Sequence, residues 1–163
     1  MERTTEDFSI ISARTADHIA TVRNLFTAYV KWLDMDLGYQ DFQTELDSLP
    51  GKYAAPQGEL LLAYSREGAT LGCVALRSLS NQQQCEMKRL YVSPEARGMG
   101  LGKALVAAIV QRAKDLKYEE MRLDTMPFMG EAIQMYERFG FVQIQPYYDA
   151  PMETIFLALD LTG

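Results

Sequence analysis

Leu90-Tyr91-Val92-Ser93-Pro94-Glu95-Ala96-Arg97-Gly98-Met99-Gly100-Leu101-Gly102-Lys103-Ala104-Leu105 decides how this chain reads. Leu90 to Val92 is an apolar, β-prone run that closes a strand. Ser93-Pro94 breaks it. Gly98, Gly100 and Gly102 lead into a helix whose apolar positions Leu101, Leu105, Ala108, Ile109, Ala113 and Leu116 recur at spacings of three and four. This junction predicts an anion site. The first amides of a helix have no internal partner, and the aligned peptide dipoles add partial positive charge there. Glycines let a ligand approach the backbone. Arg97 adds a permanent cation with a fork that suits phosphate oxygens. Together they predict a pyrophosphate cradle, set against the ordinary reading of a tight helix entry.

Two well-known cradles do not fit. A Walker loop needs Ser or Thr after its lysine, but Lys103 is followed by Ala104. A dinucleotide fingerprint needs a third glycine where Lys103 stands. The pattern Arg97-x-x-Gly100-x-Gly102 instead resembles the coenzyme A signature of the GNAT superfamily of N-acetyltransferases.

Composition limits the alternatives. A chain of 163 residues predicts one domain, residues 1–163, large enough for a real core. A hydrophobic share of 48% and a charged share of 23% are ordinary for a globular protein. The net charge of −6 argues against nucleic acid as the main partner and suits a neutral or cationic acceptor. The polar start Met1-Glu2-Arg3-Thr4 does not resemble a signal peptide, and no apolar run reaches spanning length, so no membrane role is expected. Cys73 and Cys85 lie in apolar runs and read as reduced, buried thiols of a cytoplasmic protein. No cluster has metal-ligand spacing, so no metal is expected. His18, the single histidine, reads as structural. The sequence does not fix the oligomeric state and is compatible with a homodimer.

Along the chain, Phe8 to Arg14 reads as a strand, and Thr15 as the N-cap of a helix bearing Ile19, Val22, Leu25, Phe26, Tyr29 and Val30. Phe42, Leu46 and Leu49 predict a short second helix. The acidic segment from Trp32 to Asp47 reads first as a solvated face with core aromatics, and second as one wall of an acceptor pocket. Leu60 to Ser65, Leu71 to Ser78 and Cys85 to Val92 form a predicted meander. The glycine loop and a helix to about Lys117 follow. Tyr118 to Thr125 is a strand, Glu131 to Phe139 a helix stopped by Gly140, Phe141 to Ile144 a strand and Thr154 to Leu159 the last strand.

This β-α-α-β-β-β-α-β-α-β-β order is similar to the GNAT architecture over nearly the whole chain. The resemblance also rests on Glu86-Met87-Lys88-Arg89-Leu90-Tyr91-Val92 and on Ala132-Ile133-Gln134-Met135-Tyr136-Glu137-Arg138-Phe139-Gly140-Phe141. It implies an α+β fold with a central, mostly antiparallel mixed sheet, about four flanking helices, and splayed strands that hold acetyl-CoA. It implies that Leu90, Tyr91 and Val92 pair with the pantetheine arm as an added strand. The loop Arg97, Gly98, Met99, Gly100, Leu101, Gly102 and Lys103 would hold the pyrophosphate. Where the family often has Asn, this chain has Met129.

Acetyl transfer to an amine needs an acid for the leaving thiolate and a base for the amine. The resemblance makes Tyr136 the acid, against the ordinary reading of a core tyrosine. Glu86 is the candidate base, against a salt bridge to Lys88 or Arg77. Strict alternation places Glu86 on one strand face with Lys88, Leu90 and Val92. Asp124 and Tyr147-Tyr148-Asp149 are further candidates for acceptor contacts. The expected function is acetyl transfer from acetyl-CoA to a small amine or an amino-terminal group. A non-catalytic acyl-CoA sensor and a protein-lysine acetyltransferase are the alternatives.

Overall fold

The computed structural model describes residues 7–34, 41–81 and 83–163. Its strands are β1 (Phe8–Ser12), β2 (Glu59–Ser65), β3 (Thr70–Ser78), β4 (Gln84–Val92), β5 (Glu120–Thr125), β6 (Val142–Gln143) and β7 (Ile155–Asp160). Its helices are α1 (Ala16–Leu33), α2 (Phe42–Ser48), α3 (Leu101–Asp115) and α4 (Gly130–Phe139). The element order is the one read from the sequence. The boundaries differ where local chemistry intervenes. β1 stops at Ser12, short of Arg14, because the Arg14 amide already donates to His18 Nδ1 (3.1 Å). The His18 amide in turn donates to Thr15 Oγ1 (3.1 Å), which completes a capping box. His18 is therefore structural. The strand expected over Phe141 to Ile144 shortens to Val142–Gln143, since the Phe141 amide is taken by the carbonyl of Tyr136 at the end of α4.

The strands form one seven-stranded sheet in the order β1-β2-β3-β4-β5-β7-β6. Every neighbouring pair is antiparallel except β4 with β5, which is parallel. The sheet separates two cores. One is built on α3 and the end of α4, with Leu101, Leu105, Ile109 and Tyr136 against Val74, Leu76 and Met87. The other is built on α1 and α2, with Val22, Leu25, Phe26 and Leu46 against Leu60, Leu62, Cys73 and Tyr91. At Gly72 a Cβ would lie 2.5 Å from the Tyr91 carbonyl oxygen of β4 and 3.4 Å from the Leu101 and Leu105 side chains of α3, so the neighbouring strand and the helix both crowd this position. Cys73 and Cys85 are buried and free, and burial pushes both thiols up to about 12. Among the described residues, no helix is long and apolar enough to cross a membrane.

The strands depart from plain alternation in β4. Cys73 faces Tyr91 and Ala75 faces Lys88, so Arg89 and Leu90 together oppose Val74. Arg89 takes a left-handed backbone (φ +60°). This is a β-bulge, and it reverses the facing of everything after it. Glu86 and Lys88 lie on the α1/α2 face, whereas Leu90 and Val92 pack with the α3/α4 core. The shared face expected for Glu86, Lys88, Leu90 and Val92 is thus corrected: one extra residue at Arg89 splits the four into two pairs.

Three buried carboxylates hold elements together. Glu59, fully buried, accepts from Arg14 (2.7 and 3.0 Å), Arg112 (2.9 Å), Ser12 (3.2 Å) and its neighbour's amide, Leu60 (2.9 Å). It ties β1 and α3 to the first residue of β2. Glu45 of α2 pairs with Arg89 through two contacts (2.9 and 3.1 Å). Glu86 is the third. Burial alone would push the Glu59 carboxyl up, but the Arg14 hydrogen bonds, the Leu60 amide and the two arginine charges hold it below the ordinary value. A carboxyl depressed in the folded state contributes stability above its unfolded pKa, and that contribution is lost as pH falls through the folded value. Glu59→Ala should therefore cost about 3 kcal/mol at neutral pH, near the low end for a broken buried pair because both arginines can reach water. Urea denaturation should show this gap narrowing below roughly pH 4.3, where the parent loses the same interaction.

Candidate active site

The ladder between β4 and β5 holds only three pairs and ends at Glu86 with Arg122. Past that point the two strands splay, and among the described residues no strand pairs with the β5-facing edge of β4 from Met87 onward. A groove of about 810 Å³ runs from this gap to the start of α3. Leu90, Tyr91 and Val92 form its strand wall. Arg97, Gly98, Gly100, Leu101, Gly102 and Lys103 form one end, so the structure brings together nearly all the residues expected at the cradle. Met99 alone is missing from the lining, because its side chain packs toward the α3 core.

The loop is shaped as an anion site needs. Gly100 is the N-cap of α3 with a left-handed backbone (φ +78°), and a Cβ there would meet open space, so the requirement is conformational. No side chain caps the helix, and its first turn carries no acidic residue. The first amide of this end to be satisfied is Ala104, by the Gly100 carbonyl. The amides of Leu101, Gly102 and Lys103 precede it and are the orphan donors of the helix start.

Tyr136 lies in the opposite wall, buried (5%) and edge-on to Phe141 at 5.7 Å. Burial, with smaller contributions from Tyr29 and Asp124, pushes its phenol well above the ordinary value. The hydroxyl keeps its proton at neutral pH. The amphipathic period of α4 explains its inward aim, and Gly140 ends the helix one turn later in a left-handed cap. Met129, the N-cap of α4, also lines the groove, and its sulfur accepts from Thr125 Oγ1 at 3.6 Å.

Glu86 is not in the groove lining. It is 2% exposed and sits at the mouth of the splay, on the α1/α2 face. Its carboxylate accepts from Arg77 Nε (2.8 Å) and the Tyr147 hydroxyl (2.6 Å), with Lys88 Nζ at 3.9 Å. Burial pushes this carboxyl up, but Lys88, Arg77 and Tyr147 outweigh it and hold it below the ordinary value. Tyr148 makes the matching bond to Asp124 (2.5 Å) across the gap, and Lys88 Nζ is 4.0 Å from Asp124. The aromatic loop before β7 thus fastens to both splayed strands. Tyr147 and Tyr148 both meet Phe156 edge-on at 5.1 Å.

The acidic segment divides. Met35 to Gln40 lie outside the described residues, and with them Asp36 and Tyr39 of the expected acceptor wall. Glu45 faces inward, and Phe42 lies under the Arg89 guanidinium at 5.3 Å, so these two are structural. Trp32 is a groove residue, 46% exposed. Phe128, 65% exposed, lines the same groove and was missed in the sequence. Its available signal was a large apolar residue in a loop between Pro127 and Gly130. Gly130, Glu131, Ala132 and Met135 complete the α4 wall.

The profile of the acetyltransferase (GNAT) family matches residues 20–141. A protein of Schizosaccharomyces pombe described as an uncharacterized N-acetyltransferase is 36% identical over 157 residues, covering 96% of each chain. A GNAT-family acetyltransferase from Staphylococcus aureus superposes with a TM-score of 0.78 at 20% identity, over 95% of this chain and 99% of the other. A Klebsiella pneumoniae structure, provisionally described as an acyl-CoA N-acyltransferase, gives 0.71 at 28% identity over 96% and 99%. The family profile over residues 20–141 and the 36% identity across nearly the whole chain show that this chain belongs to the GNAT family of acetyltransferases and is an acyltransferase.

Proposed function

We propose that this enzyme transfers an acetyl group from acetyl-CoA to the primary amine of a small molecule or an amino-terminal group, as a single domain over residues 1–163. One observation carries the reading. The uncapped start of α3, the free edge of β4 and Tyr136 all meet in one groove. The orphan amides of residues 101–103, with Arg97 and Lys103, suit the two charges of a pyrophosphate. The edge of Leu90 to Val92 suits the amides of a pantetheine arm, which would pair there as a strand. A backbone amide on that edge is the donor for a developing oxyanion. The Klebsiella relative supports an acyl-CoA donor. The acidic charge of −6 supports an amine acceptor over nucleic acid. Two free buried thiols suit a reducing compartment, and the cytoplasm is the proposed location.

Tyr136 is the proposed acid. Its raised pKa keeps the proton in place but makes full transfer to a thiolate uphill, so its help is greatest as a hydrogen bond to the departing sulfur in the transition state. A sensor that never turned over would need no such group. Glu86 is the proposed base. Its depressed pKa keeps it ionised at neutral pH, and its position on the α1/α2 face has it take the amine proton through water.

Four variants test the reading, with thiol release from acetyl-CoA measured over a panel of amines, amino acids and basic peptides. Gly100→Val should fold yet bind CoA more weakly in calorimetry, because valine resists the left-handed backbone. Tyr136→Phe should lose about 10²–10⁴-fold in kcat and in kcat/KM together, with CoA affinity kept. Parent-like turnover in that variant, with chemistry rate-limiting, would reject the acid. Glu86→Gln should abolish the acidic limb of the pH–rate profile. Tyr147→Phe removes a bond that holds the carboxyl down, so the same limb should move to higher pH. A limb that ignores both changes assigns the base elsewhere.

A further inference from the structure

We infer that Trp32 is a positioning residue for the donor, holding the Arg97 guanidinium at the phosphate end of the groove with its donors free. The inference rests on the cofactor reading above. Trp32 lies in the last turn of α1, whose buried residues are Val22, Leu25, Phe26 and Leu33. Its indole is 46% exposed, so core packing does not account for it. It lines the groove, and the Arg97 guanidinium carbon lies 5.4 Å from its ring centroid, inside the range of a cation–π contact. Two tyrosines prop the ring. Tyr29 stacks on it at 6.4 Å and 29°, and Tyr91 of β4 meets it at 6.4 Å and 59°.

The chemistry of this contact explains why a ring is there rather than a carboxylate. Among the described residues, Arg97 forms no ion pair with Asp or Glu. A carboxylate partner would occupy the guanidinium fork and compete with an incoming phosphate. The face of an indole attracts the same charge through its quadrupole and leaves the in-plane N–H groups unpaired. Arg97 sits on a loop next to Gly98 (φ +86°) and is itself exposed, so without the ring its rotamers would scatter. Trp32 removes part of that entropy before the ligand arrives.

Calorimetry with CoA tests this in five proteins: parent, Trp32→Ala, Trp32→Phe, Arg97→Ala and the Trp32→Ala/Arg97→Ala double variant, which closes the cycle. Trp32→Ala should weaken CoA about three- to tenfold, and Trp32→Phe should recover most of the loss. Thermal stability should stay at the parent value, since the ring is half in water. In the Arg97→Ala background, Trp32→Ala should cost almost nothing further. Unchanged affinity in Trp32→Ala overturns the inference while the cofactor reading stands. An equal loss in both backgrounds overturns it too, because the ring then acts on the ligand and not through Arg97. A parent that binds no CoA removes the cofactor reading itself, and the positioning role with it.

Discussion

The left-handed backbone at Arg89 is the constraint on which the site depends. A non-glycine residue there costs about 1–2 kcal/mol. Breaking a buried ion pair costs about 3–5 kcal/mol, and Arg89 makes one with Glu45 while lying over the ring of Phe42. The ion pair outweighs the backbone strain, and the bulge is held. Its consequences reach both faces of the sheet. Leu90 and Val92 turn toward α3 and α4, where the groove lies. Glu86 and Lys88 stay with α1, α2 and the aromatic loop. The face of β4 that carries Leu90 and Val92 and the face that carries Glu86 and Lys88 are parted by one residue of backbone.

The same bulge explains how far the sequence could be read. Element order was legible because glycine, proline and apolar periodicity punctuate this chain clearly. Thr15 announced α1, and Gly140 announced the end of α4. The glycine loop and the helix that carries Tyr136 were legible as elements, through residues whose types and spacing match a known signature. Facing was not legible after Arg89. Arginine carries no mark of a left-handed backbone, and the reason it adopts one is a carboxylate 44 residues earlier in the chain. Alternation therefore put Glu86 and Leu90 on one face when they belong to two. Trp32 was visible as an aromatic beside acidic residues, but its place in the groove depends on where α1 ends against β4 and the loop.

Glu86, the proposed base, is also a fastening between strands and loop. Arg77 and Tyr147 satisfy its two oxygens, and their help lowers its basicity. A stronger base in this position would need fewer donors and would leave the splay less firmly tied. The pairing of Tyr147 with Glu86 and of Tyr148 with Asp124 makes the loop before β7 a strap across both strands. The Tyr147 hydroxyl that ties this strap to β4 is thus also one of the groups that hold the Glu86 carboxyl down.

Glu59 has a meaning for the far end of α3. Arg112 lies in the last turn of that helix and is pinned to Glu59, which Arg14 also holds. The head of the helix lies over Gly72, where the Leu101 and Leu105 side chains would sit 3.4 Å from a Cβ. A helix fastened at its tail and packed on the sheet at its head is held at both ends. The amide donors at Leu101 to Lys103 therefore take their orientation from the fold itself, and their ordering is settled during folding.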